Sequence, residues 1–567
     1  MRFLVLLCLL GSPAVADPIG ADDFLQADPK QARIGQLLFY DKVLSGNRNI
    51  SCGTCHHHDF HGTDGLSLGI GEGGTGLGPE RQAGDIRKRV PRNAPALWNL
   101  GHKDVRVLFH DGRLEVSEIF GNGFNSPAEE WLPHGLDTIV AAQALFPLTA
   151  QFEMAGNPGE NDVAGAVHDR IDAAWPIIAD RVRAIPGYRE MFVDAFESVE
   201  TPADITIVEI GNALGAFIIS EWQSFDSAYD AWLSGAPLPP EAEVGRQLFF
   251  GEAQCATCHS GPLFTDQEFH ALGLPAFGPG RTRRFDPTPR DVGRMGESDA
   301  LKDAYRFRTP SLRNVALTAP YGHNGAFPTL EGMVRHHLDP TASRTAWRPE
   351  LAALPDAPWL AEIDFVIQSD AREMARHEAA LDIAPMALSD AEIAALVSFL
   401  NALTGKTAED RPLGRPETVP SGIPVDRPSQ AFKRLIRAWR VDASEADDGI
   451  EAAVRPDPVA VGQGLPRPGI ADQRIHLPPR KAQTRRVEPE AVEPAPGFQK
   501  ADIGCAGMQR DQGGGARRLD LLRLVRPAAE PARAACAYEG ALLRQLCDPV
   551  LPALVRYQPR AVRGPAE

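Results

Sequence analysis

After its first sixteen residues, the sequence has no long hydrophobic run. Hydrophobic residues make up 43% of the 567-residue chain, yet no later stretch approaches the roughly 18 continuous apolar residues that a membrane-spanning helix needs. The sequence also lacks an excess of basic residues, since its formal net charge is −17. An acidic chain favours basic protein partners or small substrates over nucleic acid. The composition therefore predicts no membrane span and no nucleic-acid partner.

The first sixteen residues have the parts of a secretory signal. Arg2 gives a positive start, residues 3–10 are apolar, and Ala14 and Ala16 form an A-x-A cleavage site. This pattern predicts a signal peptide over residues 1–16 and a mature protein in the periplasm.

Cysteine is also scarce, with eight residues in the chain. Exported proteins commonly use cysteines in disulfides, but the spacing here is different. Cys8 lies within the signal, and Cys505, Cys536 and Cys547 match no metal-site spacing. The other four belong to two Cys-x-x-Cys-His motifs, Cys52-Gly53-Thr54-Cys55-His56 and Cys255-Ala256-Thr257-Cys258-His259.

The Cys-x-x-Cys-His spacing suits covalent attachment of a c-type haem. Two thiols add to the vinyl groups on one edge of the haem, and the adjacent histidine reaches under the ring to bind iron. A composition like this one gives about 0.003 such motifs by chance, and the chain has two. The motifs therefore predict two bound haem c groups, with a zinc site or a redox dithiol as the alternatives.

A degenerate repeat precedes the two motifs. Residues 35–39 and residues 245–249 share the pattern Gly-x-x-Leu-Phe, and each segment leads into one motif. The repeat predicts two similar domains, an N-terminal one over residues 17–200 and a C-terminal one over residues 201–426.

Helical signals dominate the rest of this region, and strand signals are sparse. Residues 204–233 read as one helix, capped by Thr201 and Asp204. A second helix begins at the capping box of Ser389 and Glu392, with Gly405 as its stop signal. The predicted fold class is mostly α, with two c-type cytochrome domains and long loops.

The longest loop runs over residues 60–91 and contains a run of glycines. Loops of this length are usually functional or disordered. Its place directly after a haem motif favours function.

The segment after residue 426 changes character. It is rich in proline and has 20 arginines against three lysines, with little hydrophobic periodicity. We therefore predict that residues 427–567 form a low-complexity tail that is disordered.

Further motifs give the chain a specific resemblance. Residues 31–426 resemble the bacterial di-haem cytochrome c peroxidases and their relative, the di-haem enzyme of methylamine utilisation. Besides the two haem motifs, the resemblance rests on Pro91-Arg92-Asn93-Ala94-Pro95, Phe109-His110-Asp111-Gly112-Arg113, Phe152-Glu153-Met154 and the long segment 309–325.

The resemblance implies different roles for the two haems. The haem on His56 becomes the peroxide site, and Glu153 matches the acid above its open face. The haem on His259 takes in and stores electrons, and its far-side ligand comes from a helix after Tyr321-Gly322-His323-Asn324-Gly325. That position is His337 here, so we predict ligation by His259 and His337, with His336 and Met333 as alternatives.

The chain departs from the family pattern at two places. The family has a tryptophan relay between the haems where this chain has His110, which puts the usual electron route in doubt. Three roles stay open for His110: it conducts electrons through hydrogen bonds, it binds iron in a resting state, or it is a structural residue. The loop over residues 62–91 also contains no histidine to close the peroxide site, which predicts an open site that needs no reductive activation.

The resemblance further implies one calcium ion between the domains and a possible homodimer. Its ligands are the Asn93 side chain and the carbonyls of Thr318 and Pro320, and such oxygen ligands suit a hard cation.

The predicted function is reduction of hydrogen peroxide to water, with Glu153 and His110 as candidate catalytic residues. Electrons come from a small periplasmic donor, a cytochrome c or a cupredoxin. Two alternatives are a di-haem enzyme that oxidises side chains of a partner protein and a non-enzymatic electron carrier.

Overall fold

The computed structural model describes residues 18–281 and 289–430. The predicted signal peptide and the predicted tail beyond residue 430 lie outside the described residues. None of the described helices combines the length and the continuous apolar sequence that a membrane span requires.

The described chain is mostly helical, as predicted, and its strands are only two or three residues long. The helices of its first half are α1 (Pro29–Tyr40), α2 (Cys52–Cys55), α3 (Ile139–Gln143), α4 (Asp162–Asp169), α5 (Trp175–Arg183), α6 (Pro186–Ala195), α7 (Ile207–Glu221) and α8 (Ala228–Leu233). Those of its second half are α9 (Pro240–Phe250), α10 (Met295–Ser298), α11 (Leu330–Leu338), α12 (Pro340–Ala346), α13 (Ala361–Phe365), α14 (Ala371–Ala379) and α15 (Asp390–Asn401).

The strands form two small antiparallel sheets. The first has the order β1 (Val107–Leu108), β2 (Leu114–Val116) and β3 (Phe124–Asn125). The second pairs β4 (Phe269–His270) with β5 (Phe307–Arg308). Both sheets are too short to form a core of their own.

The first haem motif follows a tight helix crossing. Helix α1 crosses α7 at Gly35, where a Cβ atom would overlap the Ala213 carbonyl and the side chain of Phe217. Only a residue without a side chain allows this approach. The crossing lies in the large core cluster that surrounds the first motif.

The second motif follows an equivalent crossing. Helix α9 crosses α15 at Gly245, where a Cβ atom would overlap the Ala395 carbonyl and Phe399. The repeated Gly-x-x-Leu-Phe pattern thus has a physical meaning, because its glycine lies at a helix crossing both times. Phe217 and Phe399 fill equivalent positions beside the two glycines.

The helix predicted over residues 204–233 is instead two helices, and this expectation was wrong. Helix α7 ends at Glu221, and α8 begins after Ser227, whose side chain caps it. Between them, Asn99 donates to the Ser224 carbonyl (2.8 Å) and accepts from the Ser224 amide (2.7 Å). These bonds replace the helical partners of the backbone and end the helix. The predicted capping box of Ser389 at α15 is confirmed.

The glycine-rich loop is held together by one arginine. Arg81 is 4% exposed and donates to the carbonyls of Ile70 (2.5 Å), Gly71 (2.8 Å) and Gly76 (2.7 Å). A buried guanidinium satisfied by loop carbonyls gives the loop one shape in the absence of regular secondary structure.

The segment after α15 returns to the core around the first motif. Ala408, Val419 and Val425 are buried in that core, and Asp426 accepts from Thr54 of α2 (2.7 Å). Helix α7 belongs to the same core although it follows residue 201. The domain boundaries themselves stay a prediction.

Candidate functional site

The first Cys-x-x-Cys-His motif presents an imidazole with one free nitrogen. His56 donates from Nδ1 to the Gly62 carbonyl (2.8 Å), since a carbonyl can only accept. Nε2 is therefore the unprotonated atom of a neutral ring, and burial lowers the pKa of His56. A metal-binding histidine usually donates a hydrogen bond from its other ring nitrogen, and that bond fixes the tautomer.

The second motif repeats this arrangement. His259 donates from Nδ1 to the Phe264 carbonyl (3.0 Å). Burial and the neighbouring His337 lower the pKa of His259 to about 4, so its Nε2 is also free to bind iron. Within the described residues, the four motif cysteines form no disulfide. Both donor sets therefore fit covalent haem c with an axial histidine.

His337 faces His259 across the second site. It lies near the end of α11, where its Nδ1 donates to the Met333 carbonyl (2.9 Å) and leaves Nε2 free. The ring centroids of His259 and His337 are 6.3 Å apart. Two imidazoles that bind one metal ion from opposite sides have centroids roughly 6 Å apart, because each metal–nitrogen bond is about 2 Å long. The pair could therefore hold one haem iron from both sides.

The two alternative ligands for this haem are engaged elsewhere. His336 is fully buried, and its Nε2 donates to the Leu272 carbonyl (2.9 Å) while its Nδ1 bonds the Ser343 hydroxyl (3.2 Å). With both nitrogens occupied, His336 has no atom left for iron. Met333 packs against an apolar cluster around Phe277.

Glu153 lies on an unusually wide turn beside the first motif. Residues Gln151–Ala155 form a single π-helical turn. The glycine-rich loop supports this turn, because a Cβ atom at Gly71 would overlap the Phe152 carbonyl and the Glu153 backbone. Burial raises the pKa of the Cys55 thiol to about 12, and the nearby carboxylates of Asp64 and Glu153 contribute to the shift. Glu153 therefore lies close to the Cys55 thiol.

An arginine pair sets the charge around Glu153. Burial raises the pKa of Glu153, and the positive charges of Arg113 and Arg281 oppose this shift. Both arginines are anchored by Asp111, at 3.3 and 3.2 Å. Although burial alone would raise it, Arg92 and these two arginines hold the pKa of Asp111 far below its usual range. Asp111 therefore stays charged and holds the arginines beside Glu153.

His110 lies where the two halves of the chain meet. Its Nε2 donates to the Asn93 carbonyl (3.1 Å), and the Asn93 amide donates to the His323 carbonyl (2.9 Å). The Arg308 amide in turn donates to the His110 carbonyl (2.8 Å). Burial and the charge of Arg92 lower the pKa of His110 to about 4. The ring is therefore neutral, with a lone pair on Nδ1.

The predicted calcium ligands are Asn93, Thr318 and Pro320. Asn93 donates from its amide nitrogen to the Leu66 carbonyl (2.7 Å), which leaves its oxygen Oδ1 for a cation. A Cβ atom at Gly325 would contact both Ser67 and Pro320, so these two segments lie next to each other. Asn93 and Pro320, two of the three predicted calcium ligands, therefore lie beside residues 66–67.

Some residues at these sites were not singled out from the sequence. Arg281 lies 168 positions from Arg113, and nothing local connects them. Tyr40, His58 and Glu221 form a hydrogen-bonded group directly beside the first motif. The only signal in the sequence was the run of three histidines that begins at His56.

Comparison with known proteins gives three kinds of match. A family model described as di-haem cytochrome c peroxidase matches residues 29–237. The methylamine utilization protein MauG of Methylorubrum extorquens is 28% identical over 312 residues, which is 55% of this chain and 69% of that protein. The cytochrome c551 peroxidase of Nitrosomonas europaea is 30% identical over 306 residues, which is 53% of this chain and 71% of that protein.

A solved structure is also similar to this chain. It is a MauG-like protein associated with microbial copper homeostasis, 28% identical, with a TM-score of 0.48 over 72% of this chain and 99% of that protein.

Proposed function

The chain belongs to the di-haem cytochrome c peroxidase family, and we propose that it reduces hydrogen peroxide to water with electrons from a small donor protein. The family consists of di-haem oxidoreductases, so the chain is an enzyme with two haem c cofactors. One asymmetry carries the proposal. The His259 ring faces His337, whereas within the described residues the His56 ring faces no second imidazole. An open site and a closed, electron-storing site suit a peroxidase.

The two motifs divide the cofactors between them. Cys52, Cys55 and His56 would hold one haem, and the second motif would hold the other with His259 and His337. When bound, haem c supplies an iron that can bind peroxide and exchange single electrons. The backbone carbonyls that accept from Nδ1 keep both proximal rings in the orientation that binding requires.

Glu153 transfers the proton that peroxide cleavage needs. Its carboxylate takes a proton from the near oxygen of peroxide and returns it to the leaving oxygen. Burial raises the pKa of Glu153 above its ordinary value, which makes the carboxylate a stronger proton acceptor. The Arg113 and Arg281 charges keep the carboxylate form accessible.

Electrons from the donor would enter at the site of His259 and His337 and pass toward the site of His56. Since His110 replaces the family tryptophan, we assign the route to the hydrogen bonds that join His110, Asn93 and His323. A neutral His110 can relay through Nε2 without changing its charge.

The remaining assignments concern calcium, location and partners. Asn93 Oδ1 with the carbonyls of Thr318 and Pro320 would hold one calcium ion where the two halves of the chain meet. The enzyme would work in the periplasm as a monomer or homodimer. Its donor, a cytochrome c or a cupredoxin, would present a basic face to the acidic chain.

Steady-state kinetics with a reduced cytochrome c tests the proposal. In a Glu153→Gln variant, kcat should fall by about 100-fold or more, the usual size of a lost acid–base group. The exposed Glu130 provides a matched control, so Glu130→Gln should keep the wild-type rate. Equal rates for Glu153→Gln and the wild type would refute the assigned role, and no peroxide turnover in the wild type would refute the function.

The similarity to a methylamine utilization protein favours a second candidate, oxidation of side chains on a partner protein. His110 in place of the relay tryptophan and His337 in place of a tyrosine ligand count against it. A mass change in a co-expressed partner would support this candidate over peroxide reduction.

A further inference from the structure

Three buried side chains next to the first haem motif form a hydrogen-bonded chain. Tyr40 is the last residue of α1 and is fully buried. Its hydroxyl bonds Nδ1 of His58, and Nε2 of His58 bonds Oε1 of Glu221 (2.9 Å). Glu221 is also fully buried and accepts from the Leu413 and Gly414 amides (2.9 and 2.7 Å).

The phenol ring of Tyr40 lies directly against the haem-attachment helix. A Cβ atom at Gly53, between the two motif cysteines, would overlap the Tyr40 ring. The ring therefore packs against the backbone next to Cys52 and two residues before Cys55. A redox-active side chain at this position would be close to the first haem.

The hydrogen-bond directions along this chain follow from its carboxylate end. Glu221 can only accept when ionised, so Nε2 of His58 carries the hydrogen. Nδ1 of His58 then holds a lone pair and accepts from the Tyr40 hydroxyl. Burial raises the pKa of Tyr40 well above its ordinary value, so the phenol keeps its proton until it is oxidised.

We propose that Tyr40 is a one-electron oxidation site that gives an electron to the haem c held by Cys52 and Cys55 while its proton moves to Nδ1 of His58. The inference rests on the proposed function, because hydrogen peroxide is the oxidant. Peroxide takes up two electrons and two protons to give two waters. One electron would come from the first haem site and the other from Tyr40, and both protons would come from solvent, because the Tyr40 proton stays on His58.

The proton that Tyr40 loses, and the charge it carries, are held by His58 and Glu221. The Tyr40 O–H bond breaks, an N–H bond forms on His58, and Tyr40 becomes a neutral phenoxyl radical. The resulting imidazolium is paired with the Glu221 carboxylate, which offsets the cost of a buried charge. One electron from the donor protein reduces the Tyr40 radical and returns the proton to its oxygen, and a second donor electron would restore the haem site.

Two nearby tryptophans are poorer oxidation sites. Trp222 packs against His58 in a tilted contact with centroids 4.6 Å apart, and Trp98 contacts Trp222 at 5.4 Å. Within the described residues, the indole nitrogens of both tryptophans are buried without an acceptor. An oxidised indole there has no group to which it can lose its proton, whereas Tyr40 has His58.

Freeze-quench EPR of the oxidised holoenzyme, mixed with one equivalent of hydrogen peroxide and no electron donor, tests the proposal. We expect a narrow organic-radical signal whose hyperfine splitting changes when the protein is made with ring-deuterated tyrosine. The signal should be absent in Tyr40→Phe, which keeps the ring packed on Gly53. Tyr188→Phe is the matched control, because Tyr188 is equally buried but bonds Asp41 instead of a histidine (2.8 Å).

His58 acts as a positioning residue and proton acceptor, and its removal should have a distinct signature. In His58→Phe, which keeps a ring on Trp222, the radical yield should fall about tenfold or more, the effect of losing one hydrogen bond to a charged group. Radical formation in the wild type should also be slower in D2O, which a purely structural triad would not explain.

Several outcomes would overturn the proposal. It is wrong if the signal persists in Tyr40→Phe, if it is lost in Tyr188→Phe instead, or if only deuterated tryptophan changes it. The isotope labelling uses the wild-type chain, so the test stands even if a variant fails to fold. Normal peroxide turnover without a Tyr40 signal would refute this inference alone, whereas absence of turnover would refute the proposed function as well.

Discussion

At the scale of single residues, backbone carbonyls decide which histidine nitrogen is available. In His56, His259 and His337, Nδ1 donates a hydrogen bond to a backbone carbonyl and Nε2 stays free. In His336, both nitrogens are hydrogen-bonded. Adjacent histidines of one helix therefore have different chemistry. The sequence shows two neighbouring imidazoles, and only the surroundings tell them apart.

Separate replacement of the two neighbouring histidines by alanine provides the first prediction. His337→Ala should convert the low-spin ferric signal of the second haem to high spin in EPR, because the sixth ligand is lost. His336→Ala should keep that signal and instead lower the free energy of unfolding by about 2–3 kcal/mol, since the Leu272 carbonyl and Ser343 hydroxyl lose their partner. The reverse pattern would assign the iron to His336.

A buried acid gives the second prediction. Asp64 is 1% exposed, and its Oδ2 is buried without a partner in the described structure. Burial raises its pKa to about 7, whereas an unfolded chain has an Asp pKa of about 3.9. Between these values the folded state holds the proton and the unfolded state does not, so stability falls as pH rises from about 4 to about 7.

Replacing Asp64 should remove this dependence of folding stability on pH. Urea unfolding of Asp64→Asn should show a gain over the wild type that is absent at pH 4 and grows to on the order of 4 kcal/mol by pH 8. Asp85→Asn, at an exposed loop position, serves as the control and should leave the slope unchanged. If the free energy of unfolding of Asp64→Asn still falls over this pH range, another residue is the titrating group.

At the scale of helices, two glycines set how closely the helix before each haem motif packs on its partner helix. Gly35 and Gly245 each face a carbonyl of the crossing helix. The sequence repeat predicted that these segments are equivalent, but it did not show that the glycine was the reason. A close helix approach is a property of two helices, and the partners lie far away in the chain.

The third prediction compares a crossing glycine with an exposed one. Gly245→Ala should force α9 away from α15 and lower the free energy of unfolding by about 1–3 kcal/mol, the usual cost of overpacking. Gly165→Ala, in α4 with nothing near its Cβ position, should raise it by up to about 1 kcal/mol through helix propensity. Thermal unfolding of the two variants would measure both effects, and equal shifts would contradict the crossing argument.

The fourth prediction concerns the glycine-rich loop as a support for Glu153. Gly71→Ala would push against the Phe152 carbonyl and displace the turn that carries Glu153. We expect peroxide turnover to fall by at least tenfold, as for a misplaced catalytic group, while haem content stays the same. Gly165→Ala is again the control, and unchanged turnover in Gly71→Ala would remove the supporting role.

At the scale of the whole molecule, the segment that follows the second haem unit completes the first. Residues 408–425 enter the core around α1 and α7, and Glu221 holds the Leu413 and Gly414 amides. The first haem site is therefore assembled from both ends of the described chain.

Truncation provides the fifth prediction. A chain that ends after residue 430 is the reference, because it keeps every contact of the described residues. A chain that ends after residue 405 loses the buried Ala408, Val419 and Val425, and should be less stable by at least about 3 kcal/mol. Differential scanning calorimetry would compare them, and equal transitions would show that the returning segment is dispensable.

The sequence by itself determined the haem attachment motifs, the mostly helical fold and the cap of α15. Each of these depends on residues within about five positions of one another, so local spacing contains the information. The family resemblance further supplied Glu153 and His337 as candidates.

Only the tertiary structure decided the rest. The break after Glu221 depends on Asn99, which lies more than one hundred residues away in the chain. The hydrogen bonding that distinguishes His336 from His337 depends on a carbonyl of Leu272, and the bond from His58 to Glu221 joins residues 163 positions apart. These features are contacts between distant segments, and a contact of that kind leaves no periodicity or spacing in a single sequence.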